Sequence, residues 1–166
     1  MMIVLRFLHV VSGAMWVGML AFMTFFLMPA LNQAGPDGAK VMGPLGRRVP
    51  VVMPIIALIT LVSGFWLFQR LSGGAPGALL KTPVGLAFGL GGLAALLAFL
   101  IGVFVGRPAM MQSVKLAESL QSAPPGERAA LMAQMQSLRA RGAAVQQVVT
   151  WLVLFTLAAM AIARYV

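Results

Sequence analysis

The chain of 166 residues contains no cysteine. That excludes disulfides, iron–sulfur clusters and thiolate metal sites, and it leaves the redox compartment unmarked. Acid is almost as scarce. Asp37, Glu118 and Glu127 are the only acidic residues, and none lies in an apolar stretch. A paired-carboxylate acid–base site is therefore excluded, as is the buried carboxylate on which proton-coupled carriers rely. There is one histidine, His9, so bis-histidine haem ligation within one protomer is excluded too, although a dimer would supply two.

Apolar sequence is abundant by contrast. The chain is 61% hydrophobic and 9% charged, with a mean hydropathy of +0.97. Soluble domains run at about 45–50% apolar and about 25% charged, so the composition is that of a membrane protein. The net charge of +9 arises from 12 Lys and Arg against 3 acids. Most of these cations flank apolar segments, where they set topology and meet anionic headgroups rather than nucleic acid. The first apolar run, Ile3 to Leu31, is too long for the core of a signal peptide and is expected to stay as a helix.

A span needs about 20 mostly apolar residues, and four stretches qualify: about 2–31 (broken near Pro29), 49–71, 82–105 and 143–166. Pro50 and Pro54 fall in the first turns of the second span, where proline is best tolerated. Short connections favour an all-α, up-down-up-down, integral membrane four-helix bundle in a single domain. Residues 32–48, rich in Gly and Pro, read as a loop with at most one helical turn, and residues 72–81 as a tight turn. Residues 107–142 differ. Their helical periodicity, interrupted at "SAPPGE", predicts that helices 3 and 4 continue past the membrane as an antiparallel hairpin. Pro125 and Glu127 suit a helix start, and Leu131, Met135 and Leu138 would form its apolar stripe.

Lys40, Arg47, Arg48, Arg107, Lys115, Arg128, Arg139 and Arg141 fall on one side of the bilayer, eight cations against four. The four opposite are Arg6, Arg70, Lys81 and Arg164. The positive-inside rule then predicts both termini outside, periplasmic if the membrane is a bacterial inner membrane, and a cytoplasmic hairpin.

The only imidazole sits in "FLHVVSGAMWVGML". At 100° per residue His9, Gly13, Trp16, Leu20, Met23 and Leu27 share one stripe. Gly13 leaves a gap beside the imidazole that fits either a neighbouring helix or a flat porphyrin, with Trp16 one turn further on as a wall. Helix alternation brings Arg6, Arg70, Lys81, Met160 and Arg164 to the depth of His9. Haem b takes an axial His, often with Met, and its propionates pair well with Arg, so Met160 is the candidate second ligand. Copper would use His9 with Met15, Met19, Met23 or Met160. A third reading gives His9 a hydrogen bond to a neighbouring helix and no cofactor, with activity in the hairpin or in oligomerisation. The first reading leads, a haem b site at the outer end of the bundle serving electron transfer or porphyrin oxidation, with the copper and cofactor-free readings as its alternatives. Gly89, Gly91 and Gly92 suit close helix packing and a homodimer.

"LHVVSGAMWVGMLAF…LMPAL", then "RRVPVVMPIIALITLVSGFWL", then a span after "LLK", resembles the CopD-like and HemJ-like small multi-span membrane proteins. The resemblance covers roughly residues 5–105 and rests on His9, Trp16, Gly18, Gly64 and Leu67. The HemJ branch implies haem b on His9 and oxidation of protoporphyrinogen, with Lys81 at the position of a family lysine. The CopD branch implies copper movement across the inner membrane. Either branch implies a bilayer protein, and the first a redox partner or quinone.

Overall fold

In lipid, backbone N–H and C=O groups must be satisfied within the protein, and apolar runs of about 20 residues do this as helices. The computed structural model describes the backbone of residues 1–166 and every side chain except those of residues 36, 37, 39 and 42; the Asp37 carboxylate thus lies outside the described set. Helix α1 spans Met2–Gln33, α2 Pro36–Leu71, α3 Pro83–Ser122 and α4 Pro125–Tyr165. No strand occurs among the described residues. Helices α1 and α2 form one tightly packed hairpin and α3 and α4 a second, while α1–α4 and α2–α3 contacts close the ring.

The outer surface of this ring identifies its solvent. Phe7, Ile55, Leu93, Phe104 and Trp151 are all more than half exposed. A water-soluble monomer rarely leaves so continuous an apolar surface open. Lipid is the medium in which this surface is stable, and the protein is an integral membrane protein. Inside the ring, Trp16, Leu20, Met53, Ala57, Ala95, Ala98, Val149 and Val153 form the core.

Two expectations about connections need correction. Residues 32–48 are not a loop. Only Ala34 and Gly35 separate α1 from α2, with Gly35 at φ +57° making the reversal. Pro44, Pro50 and Pro54 are internal to α2. Local Gly and Pro content signals a turn, but packing overrides it. Gly46 approaches Val114 of α3 so closely that a Cβ would lie 2.8 Å from the valine methyl. Residues 72–81 contain a one-turn helix, Pro76–Leu79, after Gly73 and Gly74 have turned the chain with positive φ. Thr82 then caps α3, its hydroxyl accepting the Gly85 N–H at 3.1 Å, with Pro83 following.

The first helix also continues where a break was expected near Pro29. Residues Met23–Leu27 form a π-helical turn, closed by Met28 N–H to the Met23 carbonyl. Residues Gly102–Gly106 of α3 do the same, closed by Arg107 N–H to the Gly102 carbonyl. Each π turn ends two residues before a proline, Pro29 or Pro108. A proline ring clashes with the carbonyl four residues back and has no N–H to offer it. Widening that turn by one residue relieves the clash without ending the helix.

The extended hairpin is present. Helices α3 and α4 have 40 and 41 residues, about 60 Å each, against a hydrocarbon core of about 30 Å. Ala123 and Pro124 join them in extended conformation, and Glu127 lies in the first turn of α4. Met135 is buried, with Leu131 and Leu138 half-buried beside it, as the stripe predicts.

Candidate functional site

The stripe on α1 is the buried face. Ser12, Trp16, Leu20 and Met23 are all less than a tenth exposed, and His9 and Gly13 are half-buried above them. Opposite them α2 presents Thr60, Ser63 and Gly64, at the i, i+3, i+4 spacing that puts small and polar groups on one face. His9 Nδ1 lies 2.9 Å from the Thr60 carbonyl oxygen. A carbonyl only accepts, so Nδ1 carries a proton, and Nε2 is the nitrogen left without this bond. The Ser63 hydroxyl lies 3.5 Å from the same nitrogen. Below, Thr60 Oγ1 donates to Ser12 Oγ at 2.8 Å. The hydroxyls of Ser12, Thr60 and Ser63 also reach the carbonyls of Leu8, Ile56 and Ile59 on their own helices. No buried side-chain nitrogen or oxygen among the described residues lacks a partner.

Glycine makes this contact fit. A Cβ at residue 64 would lie 2.7 Å from His9 Cε1 and 3.1 Å from Nδ1, so the imidazole occupies the space that Gly64 leaves open. The gap at Gly13 faces α2 as well, where a Cβ would stand 3.5 Å from the Thr60 methyl. Both glycine gaps beside the histidine are thus taken up by packing between α1 and α2. In this arrangement of α1 and α2 a flat ring does not fit into either gap.

The other candidates disperse. The Met160 methyl packs toward α3, 3.3 Å from where a Cβ on Gly91 would be. Trp16 is a core residue. Arg6, Arg70, Lys81 and Arg164 are all exposed at the histidine end of the bundle, and Arg164 lies over the Tyr165 ring at 5.1 Å. Met15 and Met19 are exposed, whereas Met23 is buried, so these three thioethers do not converge. No cluster of three His, Cys, Asp or Glu exists among the described residues.

A second polar cluster, which composition does not single out, joins α1 to α4. Gln146 Nε2 donates to Thr24 Oγ1 at 3.2 Å, and Thr24 Oγ1 lies 2.7 Å from Thr150 Oγ1. Thr150 donates to the Gln146 carbonyl at 2.8 Å. With Thr24 donating to Thr150, the bonds run from the Gln146 side-chain amide to its backbone carbonyl, with both hydroxyl protons used. The π turn places Thr24 there, and beside it Phe25 meets Trp151 edge to face at 6.0 Å. The signal that could have found both clusters is the same: hydroxyl and amide side chains inside apolar spans.

Fold and seam together define the class, an integral membrane bundle of four helices, with clusters of polar contacts along the α1–α2 and α1–α4 seams. No protein-family profile, no curated protein and no solved structure matches the chain.

Proposed function

We propose that this protein is a cofactor-free membrane scaffold that works through the helical hairpin formed by the far ends of α3 and α4. One observation carries the reading: both helices are about twice the length a bilayer requires, and beyond it they pack on Met135, Leu131 and Leu138. Their outer surface, with Lys115, Arg128, Arg139 and Arg141, is basic and solvated. His9 then serves as an interhelical lock, its proton on Thr60 and its ring on Gly64. On this reading the termini lie outside and the hairpin in the cytoplasm of a bacterial inner membrane, in accord with the cation bias.

The test begins from the missing cysteine, which makes single-cysteine labelling clean. Met132→Cys should react with a membrane-impermeant maleimide only after the cells are opened, and Tyr165→Cys in intact cells. A photo-crosslinking residue at exposed Met132 should give a discrete adduct in cells, and one at lipid-facing Leu157 should not. Absence of any Met132 adduct, together with a stoichiometric cofactor, overturns the reading.

A second reading is favoured by the hydrogen bond on Nδ1, which is how proteins orient an imidazole for ligation through Nε2. Two copies would each supply one His9 to a haem b, with Arg6, Arg70, Lys81 or Arg164 toward its propionates. Such a centre would serve electron exchange with a quinone or porphyrin oxidation, the latter as the HemJ-like branch of the resemblance implies. Copper on His9 has less support, because the methionines on α1 diverge. Oxidised and dithionite-reduced spectra of protein from haem-supplemented cells separate the readings. A Soret band lost in His9→Ala establishes the second; a featureless spectrum removes it.

A further inference from the structure

Where α2 and α3 pass at the hairpin end, they leave a cleft of about 240 Å³. Its walls are apolar, with Pro50 and Val51 from α2 facing Met111 and Val114 from α3, and its rim carries Arg47, Arg107 and Lys115. Arg47 lies just before the apolar run of α2, and Arg107 just after that of α3. The cleft therefore straddles the membrane boundary, with Pro50 and Val51 on its bilayer side, Arg47 and Arg107 at the boundary, and Met111, Val114 and Lys115 beyond it. Glu118 holds Arg47 at 2.9 Å and is the only acid paired there among the described ion pairs, leaving the rim with net positive charge. Gly46 sets the width, since it lets α2 approach Val114 at this level.

We infer that this cleft is a binding site for one anionic phospholipid. Its phosphate lies between Arg107 and Lys115, over Met111 and with Arg47 alongside, and its first acyl methylenes rest on Pro50 and Val51. Charge complementarity selects the headgroup, and the apolar walls select a lipid over a free anion. The inference needs the chain to be a membrane protein but not the hairpin to be a scaffold, so either can fail without the other.

Native mass spectrometry of the detergent-purified chain, titrated with dioleoylphosphatidylglycerol or dioleoylphosphatidylcholine, tests it. The expected result is one retained phosphatidylglycerol and no retained phosphatidylcholine. Arg107→Gln with Lys115→Gln should weaken retention by about tenfold or more. Arg139→Gln with Arg141→Gln removes the same charge from the same end, outside the cleft, and should leave retention intact. Val51→Trp fills the cleft without changing charge and should also abolish retention, with thermal melting checking that each variant is folded. Equal retention of both lipids, equal loss in the two charge variants, or unaltered retention in Val51→Trp overturns the site. Displacement of the lipid by millimolar inorganic phosphate also overturns it, in favour of a free-anion site.

Discussion

The α1–α2 seam and the α3–α4 seam hold helices together by different means. Along α1–α2, His9, Ser12, Thr60 and Ser63 exchange hydrogen bonds, and one glycine makes room for one imidazole. Along α3–α4 the buried residues of α3 are Gly85, Gly91, Ala94, Ala95 and Ala98, all small. There α4 contributes Val149 and Val153, and Thr156 Oγ1 lies 3.0 Å from the Gly91 carbonyl. Lipid tails are as apolar as leucine, so burying apolar area drives neither association. The first seam gains from directional bonds and the second from close approach of backbones.

Four substitutions probe that contrast, all by thermal melting in detergent. Ala98→Leu puts three carbons at a fully buried point of the small-residue seam and should cost about 3 kcal/mol or prevent assembly. Near-normal melting would mean that the backbones are not held close. Gly64→Ala drives a methyl into His9 and should cost about 1–3 kcal/mol. The informative partner is His9→Ala with Gly64→Ala, which should be more stable than Gly64→Ala alone, because the space the imidazole filled is freed. Failure of that rescue would break the lock-and-gap account.

Thr150→Val keeps the shape but breaks the Gln146–Thr24–Thr150 chain of hydrogen bonds. A loss of about 0.6–1.7 kcal/mol is expected, the range for hydrogen bonds between membrane helices. Arg47→Gln should have the smallest effect, below about 1 kcal/mol, since its pair with Glu118 is exposed and screened by salt. A larger loss would mean that Arg47 supports the contact between α2 and the hairpin beyond that one bond.

Much of the fold was legible in the chain because membrane spans are a composition signal that needs no partner to read. The four spans, the hairpin and its stripe at Leu131, Met135 and Leu138 follow from runs and periods. The start of α2 was not legible, since Gly38, Gly43, Pro44 and Gly46 carry a local turn signal that contact with α3 outweighs. Pro29 signalled a disturbance, but not that the π turn answering it would bring Thr24 to Thr150 and Gln146 of α4. At the candidate site the residue and its face were readable, for His9 and the residues below it do point inward. The occupant of the space beside it was not. A glycine four residues from a histidine has the same spacing whether a ring or a helix fills the gap.

The sequence by itself determined the solvent, the number of spans and which face of α1 turns inward, because hydropathy and helical period are properties of one segment alone. Only the tertiary structure decided that Gly64 houses the imidazole, that Thr60 holds its proton, and that Gly13 faces α2. Those are distances between residues 47 or more positions apart in the chain, and no local pattern encodes such a distance.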